Sequence, residues 1–196
     1  MSHAINDEAL DTIFRKARSQ NKWQEKAVSP ALLMAVYDLT RWGATSANVS
    51  PARIVFLVSQ ESKERLKPYL GAANVQKVMT SGATAIIGYD LDFAEHLPRL
   101  FPHAPDARYW FADPKVAEVT AFRNGTLQGA YFMIAARAVG LDCGPMSGFD
   151  NAGVDREFFA EGTINSNFLC SIGYGDPSGV FPRSPRLSFD EACKIL

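Results

Sequence analysis

Residues 130–150, AYFMIAARAVGLDCGPMSGFD, hold the boundary that decides how this chain folds. An apolar stretch of helical length, Ala130 to Val139, stops at Gly140, and a loop rich in Gly and Pro follows from Leu141 to Asp150. Glycine ends a helix because it enters positive φ without a Cβ clash. Gly148 behind Ser147 leaves the backbone bare enough for a flat ligand to approach, although the same residues serve a plain chain reversal equally well. Upstream, Asp113 and Pro114 open the longest helical pattern in the chain, carried by Val116, Val119, Phe122, Leu127, Tyr131, Ile134 and Val139. It predicts a helix on the order of 40 Å long. Gly125 and Gly129 interrupt it at a cost of up to about 1 kcal/mol each, which points to close approach by another element, from a partner subunit or from the same core.

Further out, Leu10, Ile13, Phe14 and Ala17 repeat at helical spacing, and Ser29, Pro30 and Gly43 mark the cap, first turn and exit of a second helix. A polar link, Arg18 to Ala27, joins the two. Ile54 to Val58 and Ala83 to Tyr89 are short apolar runs with β-branched residues and predict buried strands, with a third at Phe168 to Ile172. Leu100 to Ala112, with Pro102, Pro105, Tyr109, Trp110 and Phe111, reads as a proline-broken aromatic lid or as core. Ser188 and Glu191 have capping-box spacing ahead of Ala192, Ile195 and Leu196, and predict a short docked helix. With no linker or repeat between these elements, residues 1–196 read as one α/β or α+β domain.

The charges nearly cancel, 20 Lys and Arg against 21 Asp and Glu, so no extended basic field is available for a nucleic-acid backbone. Cys143, Cys170 and Cys193 lie far apart without metal-ligand spacing, and read as reduced and buried. No apolar signal core stands near Asn6, Asp7 and Glu8, and no uninterrupted apolar run approaches the roughly 20 residues of a membrane helix. The expectation is a cytoplasmic protein without metal, membrane or nucleic acid.

Several chemistries lack their parts. Gly173, Tyr174 and Gly175 begin a dinucleotide-type glycine pattern, but the third glycine is missing and Pro177 argues for a turn. There is no phosphate-binding P-loop, nucleophile elbow or zinc helix, and His3, His96 and His103 form no evident cluster. A cofactor that brings its own reactivity fits this deficit.

Four segments make one site plausible, each with a bland reading beside the functional one. Arg18 to Trp23 offers a guanidinium and hydroxyl for a phosphate, though a basic helix end also suits the macrodipole. Trp42 to Arg53 is a loop of small donors and acceptors before a buried strand, or a plain connection. Asn74 and Lys77 share one side of a helical turn, which is equally a solvated face. The fourth is Gly140 to Asp150, with Arg183 and Arg186 as further phosphate candidates or ordinary surface residues.

Taken together, RSQNKW at 18–23, WGATSANVSPARIVF at 42–56, PMSGFD at 145–150, IGYGD at 172–176 and PRLSFDEA at 185–192 resemble the FMN-dependent nitroreductase family, in order and over nearly the whole chain. Within it, the chain is most similar to the branch containing the malonic semialdehyde reductase of pyrimidine degradation. The resemblance implies a three-layer α+β fold, a central, mostly antiparallel sheet flanked by helices, in an intertwined homodimer with two sites at the interface. It implies an FMN phosphate held by Arg18 and Arg186 with Ser19 nearby and Asn21 in the same segment. Asn74 and Lys77 would face the ribityl chain and pyrimidine end. Thr45, Ser46 and Asn48 would line the ring from the second subunit, and Pro145, Ser147 and Gly148 would pass along it, with the Gly148 amide close to N5.

The implied activity is alternation: NADH or NADPH reduces the flavin and leaves, and a small-molecule acceptor takes its place. No side chain is assigned a catalytic role. Malonic semialdehyde is the favoured acceptor, with nitro or quinone reduction as the close alternative and a non-catalytic flavin store or sensor as the rival class. A semialdehyde carboxylate needs a cation, for which Arg108 is the candidate. Asn21, Ala44, Ser50, Ala52 and Ser184 depart from the residues many relatives carry, which affects substrate preference more than flavin binding.

Overall fold

A computed structural model describes residues 3–160 and 162–196. In chain order its elements are α1 (Asp7–Leu10), α2 (Pro30–Thr40), β1 (Ala52–Leu57), α3 (Gln60–Leu66), α4 (Ala72–Met79), β2 (Ala83–Asp90), α5 (Leu97–Leu100), α6 (Pro114–Ala138), β3 (Asp142–Met146), α7 (Asn151–Phe158), β4 (Ile164–Gly173) and α8 (Phe189–Ala192). The four strands form one sheet in the order β1-β2-β4-β3, antiparallel at every pairing. Every residue of β2 is buried, because helices cover both faces of the sheet. On one face Ala83, Ala85, Ile87, Cys170 and Ile172 pack with Leu33 and Val36 of α2 and Phe132, Ala135 and Ala136 of α6. On the other, Ile86, Leu169 and Met146 pack with Leu66, Val78 and Val154 of α3, α4 and α7. This is the predicted three-layer arrangement, and it follows from continuous apolar runs whose successive side chains point to opposite faces of the sheet.

Local signals set the element ends. Ser29 Oγ accepts the Leu32 amide at 3.2 Å ahead of Pro30. Gly140 takes φ +86° just past α6, while the Leu141 amide reaches back to the Ala136 carbonyl at 2.9 Å and the Gly140 amide to Arg137 at 3.0 Å. This left-handed exit satisfies carbonyls that the helix end would otherwise leave bare.

The two glycines inside α6 are explained within one chain. A Cβ at Gly125 would lie 2.9 Å from the Cβ of Tyr89, and one at Gly129 would lie 2.5 Å from the Phe168 ring. The sheet, rather than a partner helix, demands the small residues.

Three expectations change. The loop after Gly140 contains an edge strand, β3, whose Pro145 is tolerated because an edge position can do without one ladder donor. The C-terminal capping box forms, with the Ser188 amide donating to Glu191 Oε2 at 2.9 Å, but α8 is fully exposed rather than docked, and so is Cys193. The aromatic segment is a 3₁₀ turn over Pro105–Phe111, pinned by buried Ala107 and by Phe111 edge-on to Phe93 at 5.0 Å, with Tyr109 and Trp110 outside. No helix among the described residues is long and apolar enough to cross a membrane.

Candidate functional site

The edge of β3 is sealed by the segment read as a polar link. Ser19 pairs with Cys143 in a parallel bridge, and the Gln20 amide donates to the Cys143 carbonyl at 2.9 Å. Trp23 pairs with Gly175, buries its ring, and donates from Nε1 to the Lys77 carbonyl at 2.9 Å. Gly144 makes this closure possible, since a Cβ there would lie 2.5 Å from the Gln20 carbonyl oxygen and 3.2 Å from both Trp23 and Lys77 Cδ. Buried Gln20 is left with Oε1 unpartnered among the described residues. Sequence spacing did not mark Gln20 or Trp23 as organisers, because every one of these partners lies at least 54 residues away.

Asn74 and Lys77 meet this corner from α4, on the shared side that their spacing predicts. The Asn74 amide donates to the Gly148 carbonyl at 3.1 Å, and the Gly71 amide to the same carbonyl at 2.9 Å. The Gly148 N–H has no backbone partner among the described residues, and Ser147 and Gly148 face outward. Lys77 is half-buried and makes no ion pair among the described residues. Burial holds its pKa below the ordinary 10.5, against a smaller upward pull from Cys170. An anionic group arriving beside it would favour the charged form and oppose that shift.

The C-terminal segment crosses the same corner. Arg18 donates to the Phe181 carbonyl, and Asn21 Nδ2 to the Gly179 carbonyl at 3.2 Å. Arg183 reaches the carbonyls of Arg15 and Ala17 at 2.8 and 3.1 Å, whereas the Arg186 guanidinium bonds only the neighbouring carbonyls of Ser184 and Pro185. Within one chain, then, Arg183 and not Arg186 lies beside the Arg18 segment.

Thr45, Ser46 and Asn48 lie elsewhere, at the far edge before β1. Two buried amides of α6 that the sequence reading missed hold this loop: Asn124 Oδ1 accepts the Ser46 amide and Gln128 Oε1 accepts the Ala52 amide, each at 2.8 Å. Their signal was available, two polar residues one turn apart on the face that carries Gly125 and Gly129. Ala47, Asn48 and Ser50 all have positive φ, at 46°, 52° and 41°, and Asn48 Nδ2 is tied to the Leu100 carbonyl at 2.8 Å. Such a backbone persists only where several bonds over-determine it. The loop walls a cleft of about 1160 Å³ along β1, bounded by Tyr37, Trp42, Arg53, Arg99 and Gln128.

The register separates the two groups. Gly144 stands opposite Ser171 of β4, while Ala52 is level with Asn165 through Tyr89, six residues away. That is roughly 20 Å along the strands and roughly 14 Å across them. No group of three or more His, Cys, Asp or Glu among the described residues is placed to hold a metal ion.

Known proteins share this arrangement. The model of the nitroreductase family matches residues 14–175. A protein of Burkholderia lata, provisionally named an NADH dehydrogenase/NAD(P)H nitroreductase, is 58% identical over 192 residues, 97% of this chain and 98% of its own. A similarly named protein of Stenotrophomonas maltophilia is 57% identical over the full length of both chains. Among solved structures, a provisionally assigned nitroreductase of Exiguobacterium sibiricum in complex with FMN superposes with a TM-score of 0.87 over the whole of both chains at 19% identity. The sheet order, the layers and the full-length likeness to these relatives lead to one conclusion: this chain belongs to the nitroreductase family.

Proposed function

We propose that this protein is an FMN-dependent NAD(P)H oxidoreductase working as a homodimer. The observation that carries the reading is the closed corner at β3, where the segment that follows Arg18 meets Gly144 and the half-buried Lys77, and where the Gly148 N–H has no backbone partner among the described residues. This set fits FMN. Arg18 and Ser19, with Asn21, would hold its phosphate, Asn74 and Lys77 its ribityl and pyrimidine portions, and Pro145, Ser147 and the Gly148 N–H the ring edge. The Cβ that Gly148 lacks would meet only the Asn74 amide, at 3.1 Å, so the backbone there is open to a flat ring. When bound, FMN supplies the hydride chemistry between NAD(P)H and the acceptor. Lys77 places a cation where negative charge grows on the pyrimidine end, and the glycine backbone offers a donor that needs no reorganisation.

A second copy supports the rest of the site. Thr45, Ser46 and Asn48 stand too far from Gly144 for one tricyclic ring to touch both within a chain, so those of the partner are proposed to complete it. The surface agrees with an assembly: Val119, Phe122 and Leu127 are about half exposed on α6, and Phe181, Leu187, Phe189 and Ile195 project from an exposed tail. Arg186 on that tail would then reach a phosphate in the dimer.

The acceptor is proposed to be a small carbonyl compound, malonic semialdehyde reduced to 3-hydroxypropionate, on the strength of the sequence resemblance. The nitroreductase names of the relatives favour a nitro or quinone compound as the second reading.

Anaerobic mixing of the yellow protein with NADH or NADPH should bleach the flavin, and a panel of malonic semialdehyde, nitrofurans and quinones ranked by kcat/KM should place the carbonyl acceptor first. Flavin that stays oxidised for minutes would sink the reductase reading. Arg18→Ala should weaken FMN retention about 10- to 100-fold, the loss of one charge-assisted phosphate contact.

A further inference from the structure

The cleft along β1 carries an unbalanced charge. Its ionisable lining includes Asp38, Arg41, Arg53, His96 and Arg99. Asp38 pairs with Arg41 at 3.7 Å. Arg53 is bound by Asp90 at 2.6 Å and by the carbonyls of Ser50 and Ala52 at 3.1 and 3.0 Å. Arg99, exposed at the end of α5, makes no ion pair among the described residues, and His96 stands one turn before it on the same rim. The carbonyl of Leu100, next to Arg99, accepts the Asn48 amide, so α5 is locked to the loop proposed to line the cofactor. Arg108 is placed differently: it stacks on and bonds its neighbour Tyr109 on the 105–111 turn, and does not line the cleft.

We infer that Arg99 is the specificity-determining cation of this cleft and receives a carboxylate of the electron acceptor. The inference rests on the oxidoreductase reading above and narrows it to acceptors that bear a carboxylate. A guanidinium matches that group with two parallel N–H donors, while a neutral acceptor of the same shape offers it nothing comparable. The cleft, about 1160 Å³, has room for an acceptor beside Arg99. Arg41 and Arg53 each already face a carboxylate, Asp38 and Asp90, whereas Arg99 faces none among the described residues.

The test uses the FMN-loaded protein and two nitro compounds of one shape, 4-nitrobenzoate and 4-nitrobenzamide. Wild type should favour the carboxylate by kcat/KM, and Arg99→Gln should lower the benzoate-to-benzamide ratio about 10-fold, whereas Arg108→Gln should keep it. Calorimetric titration with malonate needs no turnover, and should show binding that Arg99→Gln weakens by a similar factor. An unchanged ratio and unchanged malonate affinity in Arg99→Gln would overturn the assignment while leaving flavin bleaching intact. So would a collapse of the NADPH-to-NADH preference with the acceptor ratio preserved, which would give the cation to the phosphate of the donor. Failure to take up FMN would instead remove the oxidoreductase reading, and the malonate titration would still decide Arg99.

Discussion

The two corners of the sheet are built on different principles. At β3 the chain closes on itself: residues 19–24 bridge to Cys143 and Gly175, Trp23 is buried, and Gly144 and Gly175 leave room for Gln20. At β1 the chain stays open: Ala47, Asn48 and Ser50 hold left-handed backbone in a loop over a wide cleft, fastened by Asn124, Gln128 and Leu100. The first corner presents the half of the proposed binding site that one chain can build. The second presents a shaped surface that has nothing to act on without a further molecule or chain. The proposed site between two copies would use this asymmetry, because a half-site complete in itself would gain nothing from a partner.

The largest effect should come from breaking the closed corner. Gly144→Val sets a side chain against the Gln20 carbonyl, and a backbone atom cannot swing aside as a flexible side chain would. We expect a loss of about 3 kcal/mol, lowering Tm by roughly 6–12 °C in a domain of this size, together with loss of FMN. Thermal unfolding and flavin absorbance measure both, and a stable yellow variant would show that the 19–24 segment is not what shapes the site.

A smaller loss is expected at the open corner. Asn48→Ala removes the amide bond to Leu100 and leaves a Cβ residue at φ 52° without the local bonding that asparagine offers there. It should cost about 2 kcal/mol, and Asn48→Gly about half of that, in urea denaturation. Equal losses would mean that the hydrogen bond, and not the backbone, holds the loop.

The smallest change sharpens what the buried polar groups under the closed corner contribute. Lys63 is buried on α3 with its ammonium donating to the Ser81 carbonyl, and burial pushes its pKa below the ordinary 10.5. The unfolded chain therefore holds more protons than the folded one between the lowered value and 10.5, so stability rises with pH through that window. Lys63→Met should lie within about 1 kcal/mol of wild type at pH 7 and should flatten this rise. A steep loss at pH 7 would make the bond to Ser81 a net stabiliser.

The extent of legibility differs between the corners as well. Asn74 and Lys77 could be placed on one side of a turn from their spacing, and the bare backbone at Gly148 from its neighbours. Gln20 and Trp23 could not, because a parallel bridge to Cys143 and an antiparallel one to Gly175 join residues whose separation leaves no periodic trace. The strand in the 141–150 loop was hidden for a related reason. Its ladder partners sit in β4 and its outer edge is covered by residue 19, so Gly144 and Pro145 look like turn residues until both neighbours are in place. The first half of β4 was hidden by composition: Asn165, Ser166 and Asn167 are polar, and the Ser166 amide is held by Asp155 at 2.7 Å.

By itself the sequence determined what depends on near neighbours: the caps at Ser29 and Ser188, the glycine exit at residue 140, the long helix from Pro114, and the apolar runs of β1, β2 and the second half of β4. These are set by local sterics and by the period at which apolar residues recur, and both are written within a few residues. Only the tertiary structure decided which groups meet. It gave Gly125 and Gly129 to the sheet and set the charge of the cleft on Arg99. It also put Arg18 and Lys77 at one corner and Thr45 to Asn48 at the other. Those outcomes follow from strand order and register, where residues far apart in the chain are brought together by hydrogen-bond pairing and burial that no local pattern encodes.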